Sequence, residues 1–159
     1  MRLIRTALSI LIFSLVTANS FGKSQMNLKF EDFISSDVIY DSTGKEISVK
    51  SISSKYKLIY FTASWCVPCK KITKIIQSKS MENSDELVVI VISYDSGQKL
   101  ADYMSDKIGW NYVKYDKLRV SKLNKLANTR NVASIPTRIM FSPTNESVSV
   151  GEQYSKFKI

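Results

Sequence analysis

Leu58-Ile59-Tyr60-Phe61-Thr62-Ala63-Ser64-Trp65-Cys66-Val67-Pro68-Cys69-Lys70-Lys71-Ile72 is the segment from which the rest of the chain can be read. It opens on a continuous apolar run, Leu58 to Phe61, as expected of a strand covered on both faces. From Pro68 to Lys79 the pattern becomes helical, with Ile72, Ile75 and Ile76 sharing a face and Lys70, Lys71 and Lys74 on the other sides. The cysteines stand at the joint. A helix N-terminus offers unpaired N–H groups and a partial positive charge, both of which favour an anion. A cysteine of pKa about 8.5 is only about 3% ionised at pH 7, whereas a pKa of about 7 makes that half. Pro68 has its φ preset for the first helical turn, where a missing N–H costs nothing. Cys69 follows one turn later on the side of Ile72 and Ile76, so the sulfurs can approach disulfide distance. The spacing predicts an exposed nucleophile at Cys66 and a shielded resolving thiol at Cys69.

Outward from this segment, Val38-Ile39-Tyr40 and Ile47-Ser48-Val49 flank Asp41-Ser42-Thr43-Gly44-Lys45 and predict a β-hairpin. Leu87 to Ile92 is a second buried strand. Asp95 followed by Gln98 resembles a capping box, opening a helix with Leu100, Met104 and Ile108 inward and Gly109 at its end. Tyr112 to Tyr115 reads as a short strand, and Lys117 to about Asn128 as a basic amphipathic helix burying Val120, Leu123 and Ala127. Arg138–Phe141 and Ser147–Val150 form a hairpin around Ser142-Pro143-Thr144-Asn145. Strands alternating with helices predict an α/β fold, a mixed central sheet with helices on both faces.

The composition excludes much else. At 159 residues, with 44% apolar and 23% charged residues, the chain is sized for one ordered domain. It contains no histidine, which removes His-based triads and nearly every zinc or haem site. Two cysteines make no disulfide framework. Three readings of the pair stay beside the redox one: half of a shared metal site, a structural disulfide, and an inert remnant in a binding module or metal chaperone. Met1-Arg2-Leu3-Ile4-Arg5, the apolar run Ala7–Val16 and Thr17-Ala18-Asn19-Ser20 have the parts of a secretory signal peptide. The expected organisation is a signal peptide at 1–20 and one domain at 21–159, core about 38–150, placing the protein in the periplasm or outside the cell. An uncleaved anchor is the alternative. Removing residues 1–20 takes two arginines and lowers the formal charge from +9 to +7. The remaining basic residues are scattered as on a solvated surface, and export argues against nucleic acid.

Ser134-Ile135-Pro136-Thr137 places a proline just before a predicted strand, a setting that suits a strand-edge break or a cis bond. Together with Trp65-Cys66-Val67-Pro68-Cys69 it resembles the thioredoxin superfamily, over roughly Val38 to Val150. The 70-residue separation of Cys66 from Pro136 and the N-terminal hairpin resemble its TlpA-like and tryparedoxin/nucleoredoxin-like branches. The resemblance implies a thioredoxin-like fold and thiol–disulfide exchange. Cys66 would attack and Cys69 resolve, with Trp65, Val67, Pro68, Ile135 and cis-Pro136 facing the substrate. It implies no cofactor and no metal, protein disulfides as substrates, a membrane thiol as electron donor, and a monomer. Three departures stand out. Tyr60 replaces the buried aspartate six residues before the first cysteine. Ile72 replaces the glutamate of many TlpA-like proteins, leaving Lys70, water or the substrate to take the proton of Cys69. The C-terminal helix is expected to be missing or reduced to Glu152–Ile159, with one sheet face less covered. Oxidases and isomerases of the superfamily often carry a histidine between the cysteines. Val67-Pro68 stabilises a thiolate less, which favours a reductase over an oxidase or isomerase. No convincing peroxidatic motif is present.

Overall fold

The computed structural model describes residues 29–34, 38–107, 109–114, 134–148 and 155–159. The leader read at 1–20, the basic helix read at 117–128, Ile108, Tyr115 and residues 149–150 lie outside them. In chain order the elements are α1 (Phe30–Ile34), β1 (Ile39–Asp41), β2 (Glu46–Ile47), a 3-10 turn (Val49–Ile52), β3 (Tyr56–Thr62), α2 (Val67–Glu82), β4 (Leu87–Ser93), α3 (Gly97–Ser105), β5 (Asn111–Val113) and β6 (Thr137–Phe141). The strands form one sheet in the order β2-β1-β5-β4-β3-β6. β3, β4 and β5 are parallel, β6 runs antiparallel to β3, and β1 runs antiparallel to both β5 and β2. This is the mixed, helix-flanked sheet expected from the sequence.

Side chains alternate across the pleat, so the apolar runs of β3 and β4 supply two cores. Leu58, Tyr60, Val89, Val91 and Met140 meet Ile76 of α2, Leu100 and Met104 of α3, and Trp110. Ile59, Phe61, Ile90, Ile92, Ile139 and Phe141 meet Phe30 and Ile34 of α1 and Ile52. Truncating a fully buried isoleucine such as Ile76 to alanine costs about 2–5 kcal/mol.

The structure corrects several local expectations. Ile75 is exposed: the buried stripe of α2 is Cys69, Thr73, Ile76 and Ser80, and Ile75 projects about 100° round the helix from Ile76. Val49 belongs to the 3-10 turn rather than to β2, because Ser48 caps that turn through Lys50 N. The first hairpin otherwise stands, with Asp41 accepting from Thr43 N, Thr43 Oγ1 and Lys45 N, and with Gly44 at φ 87°. α3 ends at Ser105, and Gly109 (φ 76°) turns the chain toward β5 instead of capping the helix. The second arm of the last hairpin is a single bridge, Phe141 to Ser147, among the described residues. At the C-terminus residues 155–157 form one helical turn. Phe157 packs edge-on against Tyr56 at 5.2 Å and Ile159 is buried beside the α2 core, so these residues cover the sheet rather than leaving it open.

Candidate redox site at the end of β3

β3 and β4 end side by side, Thr62 opposite Ser93. One continues through Ala63-Ser64-Trp65 into α2, the other through Tyr94-Asp95-Ser96 into α3. The carboxyl ends of parallel strands are where an open α/β sheet places its sites. Cys66 is the N-cap of α2, with an extended backbone (φ −76°, ψ 102°), and its sulfur accepts from Cys69 N at 3.3 Å. Val67 and Pro68 form the first two helical positions, so the proline lacks only an N–H that the helix would leave unpaired.

Cys66 and Cys69 are bonded to each other, with an S–S distance of 1.97 Å and Cα atoms 5.2 Å apart. The helical spacing therefore does bring the sulfurs together. The predicted contrast in exposure is absent from this oxidised form: Cys66 is 4% exposed and Cys69 1%. Ala63, Tyr94 and Ile135 pack around the pair and cover Cys66 as well. What lies open is the rim, where Trp65 is 64% and Val67 74% exposed. Ile135–Pro136 is a cis peptide just before β6, and Ile135 packs against the core on the α1 side of the sheet and against the cysteines. The structure thus gathers Cys66, Cys69 and Ile135 into one cluster, with Pro68 and Pro136 adjoining it in sequence and Trp65 and Val67 at its edge.

Two polar networks were not foreseen from the sequence: the partners of Tyr60, whose place in the aspartate's position was read, and those of Asp95. Tyr60 is fully buried and donates to the Cys69 carbonyl at 3.2 Å, with Thr73 Oγ1 3.0 Å away. Thr73 continues to Tyr103 Oη at 3.3 Å and Tyr103 to Thr62 Oγ1 at 3.2 Å, so four hydroxyls run beneath the start of α2. Burial pushes the Tyr60 phenol above its ordinary value, which makes it a neutral hydrogen-bonding group rather than a base where thioredoxin has a carboxylate. A tyrosine inside an apolar strand run was the available signal, since a buried phenol needs a partner.

The second network is that of Asp95. Ser96, without a side-chain cap bond, is the N-cap of α3, so the expected capping box does not form. Asp95 turns inward instead and is 3% exposed, accepting from Ser64 N at 2.6 Å, Ser64 Oγ at 2.9 Å and Ser93 Oγ at 2.9 Å. A carboxylate at the carboxyl end of the strand beside β3 was the sequence signal.

Comparison with known proteins places this geometry. A family model described as thioredoxin-like matches residues 54–147, more than half of the chain. Tryparedoxin of Trypanosoma brucei brucei is 30% identical over 115 residues, which cover 70% of this chain and 77% of that protein. Mouse (Mus musculus) nucleoredoxin is 28% identical over 112 residues, 68% of this chain but 25% of the relative, so the chain spans about a quarter of the nucleoredoxin length. Native tryparedoxin I of Crithidia fasciculata superimposes with a TM-score of 0.59 at 28% identity, covering 71% of this chain and 78% of that one. These relatives stand in the tryparedoxin and nucleoredoxin branch. With a bonded Cys-x-x-Cys pair at the mouth of its first βα unit, the chain belongs to the thioredoxin-like family of thiol–disulfide oxidoreductases.

Proposed function

We propose that this protein reduces disulfides of other proteins outside the cytoplasm, with Cys66 as the attacking and Cys69 as the resolving thiol. The observation that carries the reading is the bonded pair at the N-cap of a 16-residue helix, ringed by the exposed side chains of Trp65 and Val67. In the reduced protein, the N-terminal N–H groups of α2 and the helix dipole favour the Cys66 thiolate. That thiolate attacks one sulfur of the substrate disulfide, and the other substrate sulfur departs as a thiol. Cys69, deprotonated, then attacks Cys66 Sγ and closes the bond seen here, releasing the second substrate thiol. The backbone at Ile135, before β6, offers an edge for an extended substrate segment. Trp65, Val67, Pro68 and Pro136 complete the contact surface.

Export rests on the basic, apolar and small-residue order of residues 1–20. In an oxidising compartment such a reductase draws electrons from a membrane thiol donor. The protein acts as a monomer, without cofactor or nucleic acid. The direction follows from Val67-Pro68, which gives the Cys66 thiolate no additional charge partner. Insulin reduction with dithiothreitol as donor tests the chemistry: Cys66→Ser should fall to the background rate, and retained activity would overturn the nucleophile assignment. The reduction potential tests the direction, with a value near −270 mV expected and one near −120 mV pointing to an oxidase.

A further inference from the structure

Asp95 is a charged side chain buried at the redox end of the sheet, and neither sulfur of the pair touches it in a hydrogen bond. Burying a carboxylate is expensive unless its oxygens are fully engaged. Here Oδ2 accepts from Ser64 N (2.6 Å) and Ser93 Oγ (2.9 Å), Oδ1 accepts from Ser64 Oγ (2.9 Å), and Ser93 Oγ in turn accepts from Asp95 N (3.0 Å). Among the described residues it has no lysine or arginine in ion-pair contact. Everything that holds this carboxylate belongs either to the end of β4 or to Ser64, two residues before Cys66. Two residues of chain reach at most about 7 Å. Over that distance the path is tightened by a turn, since Cys66 N donates to Ala63 O at 3.1 Å. Tyr94, the neighbour of Asp95, packs against the cysteines from the β4 side.

Resting on the exchange reading above, we infer that Asp95 is a positioning residue for the dithiol. By clamping the backbone N–H and the hydroxyl of Ser64 to the end of β4, it fixes the turn on which Cys66 sits relative to Cys69, and so sets the effective concentration of one sulfur at the other. The step it governs is closure. Cys69 thiolate attacks Cys66 Sγ, the bond from Cys66 to the substrate sulfur breaks, and the Cys66–Cys69 bond forms. The substrate sulfur leaves as a thiolate and takes up a proton. The dithiol loses the two electrons that the substrate disulfide gains. A slack turn lowers the probability that the sulfurs meet, which slows closure and destabilises the disulfide relative to the dithiol.

The test is equilibration of the full chain with glutathione redox buffers, followed by kinetics of mixed-disulfide resolution. Asp95→Ala should lower the oxidation equilibrium constant about ten-fold, a shift of about 30 mV toward a more oxidising potential. It should slow resolution by a similar factor while leaving KM for insulin unchanged. Asp95→Asn preserves the shape: its carbonyl can accept from Ser64 N and Ser93 Oγ, and its amide can donate to Ser64 Oγ. It should restore the potential to within about two-fold of wild type in the equilibrium constant. An Asp95→Ala potential equal to wild type overturns the inference, as does an Asn variant as impaired as the Ala variant. If Asp95→Ala does not fold, Ser64→Ala, which deletes only the Oγ contact, decides in its place. About a three-fold shift in the same direction supports the clamp, and no shift overturns it. A wild-type pair that does not exchange with glutathione overturns the exchange reading and this inference together, whereas normal wild-type exchange with unresponsive variants overturns this inference alone.

Discussion

Lys57 and Tyr60 lie three residues apart on β3, both fully buried, and face opposite sides of the sheet toward opposite ends of the strand. Lys57 Nζ is enclosed by oxygens: Ser53 O at 2.8 Å, Asn145 Oδ1 at 2.6 Å, and the carbonyls of Ser142 and Pro143 at 3.4 Å. Phe30 lies 5.5 Å below it. Tyr60 enters the hydroxyl row that supports Cys69. Both polar groups are satisfied, so satisfaction alone does not mark function. At the lysine end, the partners are the loops that close the sheet, and no bond there changes during a reaction. At the tyrosine end, the partner is the carbonyl of a cysteine whose covalent state changes, beside a rim of exposed apolar side chains. The chemistry lies where a rigid, fully bonded network borders a bond that can be remade and a surface that is open.

Substitutions at Cys66, Cys69 and Lys57 separate these ends most sharply. Cys66→Ser should abolish insulin reduction while leaving the fold intact, since the serine keeps the N-cap position of α2 and is itself a good cap. Cys69→Ser should form the mixed disulfide and fail to release it, giving a species trapped in a single turnover and visible by non-reducing electrophoresis. Lys57→Ala should do the reverse. Removing the shared donor leaves buried carbonyl and amide oxygens without a partner, at about 3 kcal/mol of stability by denaturant titration. The redox potential should not move, because Lys57 lies about 17 Å along the strand from Thr62. A changed potential in Lys57→Ala would erase the distinction between the two ends.

The legible part of this molecule was the part governed by periodicity and by the joint between elements. The runs 58–61 and 87–92 declared buried strands because both faces had to be apolar, and a Cys-x-x-Cys pair at the following helix start left little freedom in where the sulfurs lie. The buried polar groups were not legible. Asp95 reads as a helix cap, and neither Lys57 nor Thr73 stood out in the sequence. Their partners come from residues up to 88 positions away, which only the assembled sheet brings together. Ile75 misled for the related reason that three isoleucines span more of the helix surface than the sheet covers. Cys66 looked exposed because a helix start usually is, yet Tyr94, just after β4, and Ile135, just before β6, cover it.

Tyr60→Phe is the next smaller perturbation. The ring keeps its edge-on contact with Trp110 at 6.3 Å, while the Cys69 carbonyl and Thr73 lose the hydroxyl. A net loss of about 1 kcal/mol is expected, measured by thermal or denaturant unfolding. Thr73→Val should act on the same network, so the double variant should lose less than the sum of the two singles. Strict additivity would show that the hydroxyl row is a set of separate contacts.

The smallest effects have opposite signs at the two ends. Burial pushes the Lys57 ammonium below its ordinary value of 10.5 and the Tyr60 phenol above its ordinary value of 10.0. Between the native value of Lys57 and 10.5, the unfolded chain holds a proton that the folded chain has released, so this group makes stability rise with pH. From pH 10.0 up to the native value of Tyr60, the folded chain keeps a proton that the unfolded chain has lost, so that group makes stability fall. Unfolding free energies measured from pH 8 to 11 should therefore lose their rising component in Lys57→Met and their falling component in Tyr60→Phe. If both variants keep the wild-type slope, the two groups titrate alike in folded and unfolded chains. Their shared burial on β3 then has no electrostatic consequence.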